Sequence, residues 1–191
     1  MKHLSLQGTA RVSGKKADVK SVRRDEKVPC IVYGNGVENI NFSVEAKALK
    51  ALTDTPYAHI VDLDIDGKKF TAKLQDIQWH PVTDIALHAD FLALNEDKPV
   101  TVEVPIKIVG NSEGVRQGGK LAVSTRKLRI SGLMANLPDE LEIDITPLGI
   151  GKQIFAKDLS YDNINIVSSK ATLVCAVRAT RASAAAESAA E

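Results

Sequence analysis

Two short stretches of this chain carry residue types capable of directional chemistry at a defined spacing: Leu74-Gln75-Asp76-Ile77-Gln78-Trp79-His80-Pro81 and Leu87-His88-Ala89-Asp90-Phe91. On a β-strand, residues two apart project from one face, so His88 pairs with Asp90, and Gln78 with His80 on its own strand. Three chemistries compete for such a set. His80, His88 and Asp90, with His59 a further candidate, could ligate a metal as two histidines and a carboxylate, but no supporting ligand pattern accompanies them. His88 oriented by Asp90 could work as a general acid or base, yet no activated Ser or Cys and no substrate-cradling glycine loop goes with it. The third is recognition of nucleotide base edges, for which Gln, His and Asp supply directional donors and acceptors. An aspartate facing RNA is repelled by phosphates unless it accepts a hydrogen bond from an exocyclic amine, so its presence favours specific readout. A satisfied structural His–Asp pair is the bland alternative.

A second candidate is basic. Gly14-Lys15-Lys16-Ala17-Asp18-Val19-Lys20-Ser21-Val22-Arg23-Arg24-Asp25-Glu26-Lys27 reads as a loop-like, partly helical connector whose cations could track phosphates and displace condensed counterions. Its alternative is an exposed, solvated surface. The chain total of 25 Lys+Arg against 24 Asp+Glu, a net charge of +1, argues on its face against nucleic acid. Charge is nevertheless uneven. Residues 1–33 carry eight basic and three acidic side chains, a net of +5; residues 34–97 carry five and eleven, a net of −6; residues 98–181 carry twelve and eight, a net of +4.

Other features narrow the classes. Hydrophobic residues make up 44% of the 191, enough for a core, and no apolar run reaches membrane-spanning length, so neither a helical membrane protein nor wholesale disorder is expected. The amino terminus carries no legible secretory signal, which makes the cytoplasm the expected compartment. Cys30 and Cys175 are too few for a disulfide framework, show neither C-x-x-C spacing nor a neighbouring histidine, and each sits in an apolar run, as a reduced structural thiol does. Gly114-Val115-Arg116-Gln117-Gly118-Gly119-Lys120 lacks the order of a phosphate loop and reads as a flexible hairpin or interaction loop. Trp79, Phe91, Phe42, Phe70, Tyr33 and Tyr57 are expected in the core.

The elements that must position these residues are mostly strands. Alternation predicts strands at 3–12, 29–33, 40–44, 59–65, 68–79 and 86–94, with the Asp66-Gly67 dipeptide marking a hairpin and one helix over 46–52. After the polar, proline-containing stretch at 95–99, strands are predicted at 100–109, 127–130, 141–145, 164–167 and 171–178 with no long helical window, so this half is expected to be all β. Domains are expected at 1–97 and 98–181, followed by a disordered Ala/Ser/Glu tail at 182–191.

Taken as a set, the basic Gly-Lys loop, Lys27-Val28-Pro29-Cys30-Ile31-Val32-Tyr33-Gly34, Gln75-Asp76-x-Gln78-x-His80-Pro81 and His88-x-Asp90-Phe91 resemble the bacterial large-subunit ribosomal protein twenty-five family, also called the general stress protein Ctc family. Asn136 to Ile145, Leu148-Gly149-Ile150-Gly151 and Ala156-Lys157-Asp158-Leu159 resemble the carboxy-terminal β domain of its two-domain form. The resemblance implies a small amino-terminal β-barrel similar to the anticodon-binding barrel of glutaminyl-tRNA synthetase, with few helices, and a carboxy-terminal all-β domain. It implies a non-enzymatic, cofactor-free constituent of the large ribosomal subunit that binds an internal loop of 5S rRNA at the central protuberance, monomeric off the ribosome, its second domain free to meet neighbouring ribosomal proteins. A stress-dependent ribosome accessory is the family's other reading. Carried onto this sequence, Arg11, Lys15, Lys16, Lys20, Arg23 and Arg24 would meet phosphates or sugars and Tyr33 would edge the RNA surface. Gln75, His88 and Asp90 would read base edges and 2′-hydroxyls, supported by Gln78 and His80.

Overall fold

The computed structural model describes residues 1–180 apart from Ser13, Lys15 and Glu96; Lys15 and the tail at 182–191, both named above, lie outside the described residues. The chain divides into two compact units, Met1–Lys98 and Pro99 onwards.

The first unit has six strands, β1 (Lys2–Ala10), β2 (Lys27–Gly34), β3 (Val37–Glu45), β4 (His59–Ile65), β5 (Lys68–Trp79) and β6 (Ala86–Ala93). Helix α1 (Lys16–Arg24) joins β1 to β2, and α2 (Ala46–Thr53) joins β3 to β4. The strands close into a barrel in the order β1-β3-β2-β6-β5-β4. Closure comes from a parallel pairing of β1 with β4, from Lys2 opposite His59 to Gly8 opposite Ile65. A closed sheet leaves no unpaired edge for another chain to add to. Asp66 and Gly67 both take positive φ, 48° and 86°, the backbone that a two-residue hairpin turn needs to match strand twist. Alternation sends Val28, Cys30 and Val32 of β2, Phe42 and Val44 of β3, and Ala89 and Phe91 of β6 into a core where the Phe42 and Phe91 rings lie 5.7 Å apart. Leu49 and Leu52, one turn apart on α2, are buried with them.

The second unit holds two sheets. β7 (Val100–Val109), β9 (Lys127–Gly132), β10 (Leu141–Asp144) and β12 (Asn165–Ile166) form one, in the order β10-β7-β9-β12. β8 (Lys120–Val123), β11 (Gln153–Phe155) and β13 (Leu173–Arg178) form the other, in the order β11-β13-β8. Val104, Leu128, Ile130, Leu141, Ile143, Val174 and Cys175 are buried. The fold is thus mainly β with few helices, a barrel followed by a β domain.

Three expectations needed correction. The basic connector is a helix, α1, over Lys16–Arg24; only Val19 and Val22 are half-buried, too little apolar periodicity to announce it. Asp18 in its first turn and Arg23 and Arg24 in its last suit the helix dipole. The 114–120 stretch is not a free loop: α3 (Glu113–Arg116) starts at Ser112, whose Oγ accepts from the Val115 backbone N–H and donates to the Leu148 carbonyl at 2.6 Å, and β8 follows. Trp79 is 45% exposed rather than core, on the stretch of β5 beyond Lys73 that has left β4 and pairs with β6 alone.

Both cysteines are buried and free. Burial pushes the Cys30 thiol up to about 12 and raises that of Cys175. A thiol whose pKa is raised on folding stays neutral at ordinary pH and disfavours the fold only as pH climbs from its unfolded value toward about 12. Iodoacetamide at pH 8 is therefore expected to label the folded chain slowly and the denatured chain completely at both positions; rapid labelling of Cys30 in native protein contradicts its burial.

Candidate nucleic-acid interface

Strand β5 is long enough to change face partway along. Leu74 pairs with Phe91 and Asp76 with Asp90, which leaves Gln75 as an extra residue in a bulge. If Gln75 took a regular place in the ladder, Asp76 would face inward like Leu74; with Gln75 bulged out, Ile77 returns to the core opposite Ala89 while Asp76 and Gln78 point outward. Gln78 lies opposite His88, so Asp76, Gln78, His88 and Asp90 share one outer face of the β5–β6 pair. The spacing of three between the apolar Leu74 and Ile77, in an otherwise alternating strand, is the trace of the bulge in the sequence.

On that face His88 Nδ1 lies 2.7 Å from Asp90 Oδ1, with the side chains 27% and 34% exposed. A ring whose Nδ1–H is donated to the carboxylate keeps Nε2 as an acceptor while neutral and as a donor once protonated. Asp76 Oδ1 accepts from its neighbour's Ile77 N–H at 2.9 Å. Gln75 is exposed at the bulge. Ile31 pairs with Asp90, and Tyr33, two residues further along β2, shares its face, half-buried. Amide, imidazole and carboxylate groups thus stand at ladder spacing on a rigid surface, where they can satisfy several donors and acceptors of an unpaired base edge at once.

A second bulge sits three ladder pairs further on. Gln78 pairs with His88 and Trp79 with Ala86, so Leu87 has no ladder partner. Its carbonyl accepts two hydrogen bonds from α1, from Arg23 Nε at 3.1 Å and Nη2 at 2.8 Å. Arg23 is thereby committed to holding α1 beside His88. At 3.6 residues per turn, Lys16, Lys20, Arg23 and Arg24 fall within about 100° of one another around the helix. The tether at Arg23 therefore sets the exposed cations Lys16, Lys20 and Arg24 next to the polar face. Arg11 is also tethered: its backbone N–H reaches the Asn41 carbonyl at 2.9 Å and its Nε the Phe42 carbonyl at 3.3 Å.

His80 does not join the set. β5 ends at Trp79, and His80 turns the chain: its Nδ1 accepts from the Val82 and Thr83 N–H groups at 3.3 and 3.2 Å, its own N–H reaches the Ile85 carbonyl and its carbonyl accepts from Asp84. The expected Gln78–His80 pair on one strand is therefore absent. Among the described residues no group of three His, Cys, Asp or Glu side chains is placed to hold a metal ion. Asp76 went unnoticed as a candidate because, without the bulge, it would face inward.

Comparison with known proteins adds two family matches. Residues 6–91 match the ribosomal L25p family and residues 99–181 the C-terminal domain of ribosomal protein TL5. Large ribosomal subunit protein bL25 of Bacteroides thetaiotaomicron is 42% identical to the chain over 195 residues, covering 100% of the chain and 99% of that protein. Its namesake in Phocaeicola vulgatus is 43% identical over 188 residues, and that in Porphyromonas gingivalis 38% over 183, each alignment covering 95% of both proteins.

Proposed function

The chain belongs to the ribosomal L25p family, in the form that carries a TL5-type carboxy-terminal domain, and from that membership we propose that its barrel grips an internal loop of 5S rRNA at the central protuberance. It is a non-enzymatic structural component of the large ribosomal subunit and works on the ribosome in the cytoplasm. The observation that carries the finer reading is the tether from Arg23 to the Leu87 carbonyl, which fixes a cationic helix beside the Gln78–His88 and Asp76–Asp90 rows. Such a surface suits RNA that departs from regular A-form. An ordinary A-form major groove is too deep and narrow for side chains, whereas a distorted internal loop exposes base edges and 2′-hydroxyls. Lys15, Lys16, Lys20 and Arg24, with Arg11, supply the phosphate contacts; Gln75, Gln78, His88 and Asp90 read the bases; Tyr33 borders them; Arg23 and His80 position the rest.

About five phosphate contacts imply that log affinity for 5S rRNA falls against log salt with a slope of roughly −3.5 to −4.5. Filter binding or calorimetry across salt concentrations measures it, and a flat or absent response removes the proposal. Within it, His88→Ala or Asp90→Ala is expected to weaken binding by about 1 to 3 kcal/mol with the slope nearly unchanged. If the Asp90 variant binds as tightly as the parent, that carboxylate does not read RNA.

A further inference from the structure

Among the described residues, the second unit pairs some of its cations and leaves others without a carboxylate. Glu140 and Glu142, at the β10 edge, hold Lys107 at 2.6 and 3.0 Å, and Glu103 holds Arg129 at 2.8 Å. In the three-stranded sheet the cations are treated differently. Lys120 on β8 stands directly opposite Arg178 on β13, both exposed. Like charges directly across an antiparallel pair repel, with Cβ atoms about 5 Å apart, and the fold bears that cost.

Two more cations are drawn to the same end of the sheet. A Cβ on Gly114 would lie 2.6 Å from the Ile150 nitrogen, and one on Gly119 would lie 2.7 Å from the Gly114 carbonyl oxygen and Val177 Cγ1. Helix α3 therefore sits against the 149–151 turn and β13 at a distance only glycine permits. Gly114 N–H donates to the Leu148 carbonyl, Gly151 N–H to the Val177 carbonyl and Val177 N–H to the Lys152 carbonyl. These bonds bring the backbones of α3, which carries Arg116, and of the turn, which carries Lys152, to the Val177 end of β13, beside Arg178. Among the described residues no carboxylate pairs with Arg116, Lys120, Lys152 or Arg178.

We propose that Arg116, Lys120, Lys152 and Arg178 form a second phosphate-binding surface, through which the carboxy-terminal domain grips an RNA backbone on the large subunit away from the RNA held by the barrel. A protein partner would need a desolvated apolar centre. The face shared by Lys120 and Arg178 has none: its next pair is Ala176, which is buried, opposite Ala122, which is half-buried, and Gln153 flanks them. A backbone of phosphates needs only spaced cations.

The test uses the full chain with Lys120→Ala and Arg178→Ala together, bound to isolated 5S rRNA and to large subunits stripped of this protein. On subunits the salt slope is expected to become shallower by about 1.5 units and affinity to fall on the order of tenfold, while binding to 5S rRNA is unchanged. The charge-keeping pair Lys120→Arg with Arg178→Lys should bind subunits as the parent does. Thermal unfolding of the alanine variant should stay level or rise, since a repulsion has gone. A photoreactive residue at position 153 should cross-link to RNA. Parental affinity and slope on subunits, or cross-links to protein alone, overturn the proposal. It fails separately from the barrel's assignment to 5S rRNA, which is read on the isolated RNA alone.

Discussion

Phe42→Ala is expected to cost the barrel about 3 to 5 kcal/mol, a large part of the roughly 5 to 15 kcal/mol that holds an ordinary domain folded. The ring is fully buried, packs against Phe91 and lies so close under β1 that a Cβ on Gly8 would come 2.6 Å from its Cδ2. From β3 it therefore reaches both its ladder neighbour β1 and, across the barrel interior, β6. With the ring gone the strands cannot collapse onto the void, because each is fixed by ladder bonds on both sides in a closed barrel. Trp79 is the chain's single tryptophan and lies in the first unit, so its fluorescence in a denaturant titration reports that unit. A loss under about 1 kcal/mol would mean that the ring does not fill this space. The cavity also predicts coupling: Gly8→Ala, which alone forces its methyl into the ring, should be far better tolerated on top of Phe42→Ala.

Removing Lys16, Lys20 and Arg24 together is expected to have the largest effect on RNA. These exposed cations lie on the α1 face that Arg23 ties to β6, so they act as a unit at one edge of the polar surface. Replacing all three with alanine should make the salt slope for 5S rRNA shallower by about 2 to 2.7 units and lower affinity by one to two orders of magnitude at low salt. Discrimination between the cognate loop and a regular duplex should survive if, as proposed above, the β5–β6 face reads the bases. Arg23→Ala should behave differently. It removes the tether rather than a phosphate contact, so the slope should move little while discrimination falls. If Arg23→Ala changes the slope as much as Lys20→Ala does, Arg23 touches phosphate after all.

What the sequence made legible follows from which interactions leave a local trace. Period-two alternation located the strands of the barrel to within a few residues, and Asp66-Gly67 marked the hairpin, because burial of one face and a positive-φ turn both constrain residue type locally. The His88–Asp90 pair was readable for the same reason. Closure was not readable from alternation, since the partner of β1 lies nearly sixty residues away, and only the family resemblance suggested a barrel. Helix α1 was legible only as a partly helical connector because it buries no side chain fully, and α3 escaped because four residues carry no periodicity. The site suffered most from the two bulges. One moved Asp76 to the outer face, and the other freed the Leu87 carbonyl, which takes two hydrogen bonds from Arg23. Neither event changes composition, so charge counting treated Arg23 and Arg24 alike.

The parallel pairing of β1 with β4 also governs the order in which the chain can become native. Lys2 finds its partner only at His59, so β1, apart from its end at Thr9 and Ala10 that pairs with β3, has nothing to zip against until β4 has been made. Contacts of such long separation must meet the entropy of loop closure before they return any stabilisation, which slows folding relative to a meander of hairpins. The β4–β5 hairpin and the β2–β3 ribbon can form early. β1 is then the stave that completes the barrel, whereas the cationic helix that follows it is held to β6 through Arg23.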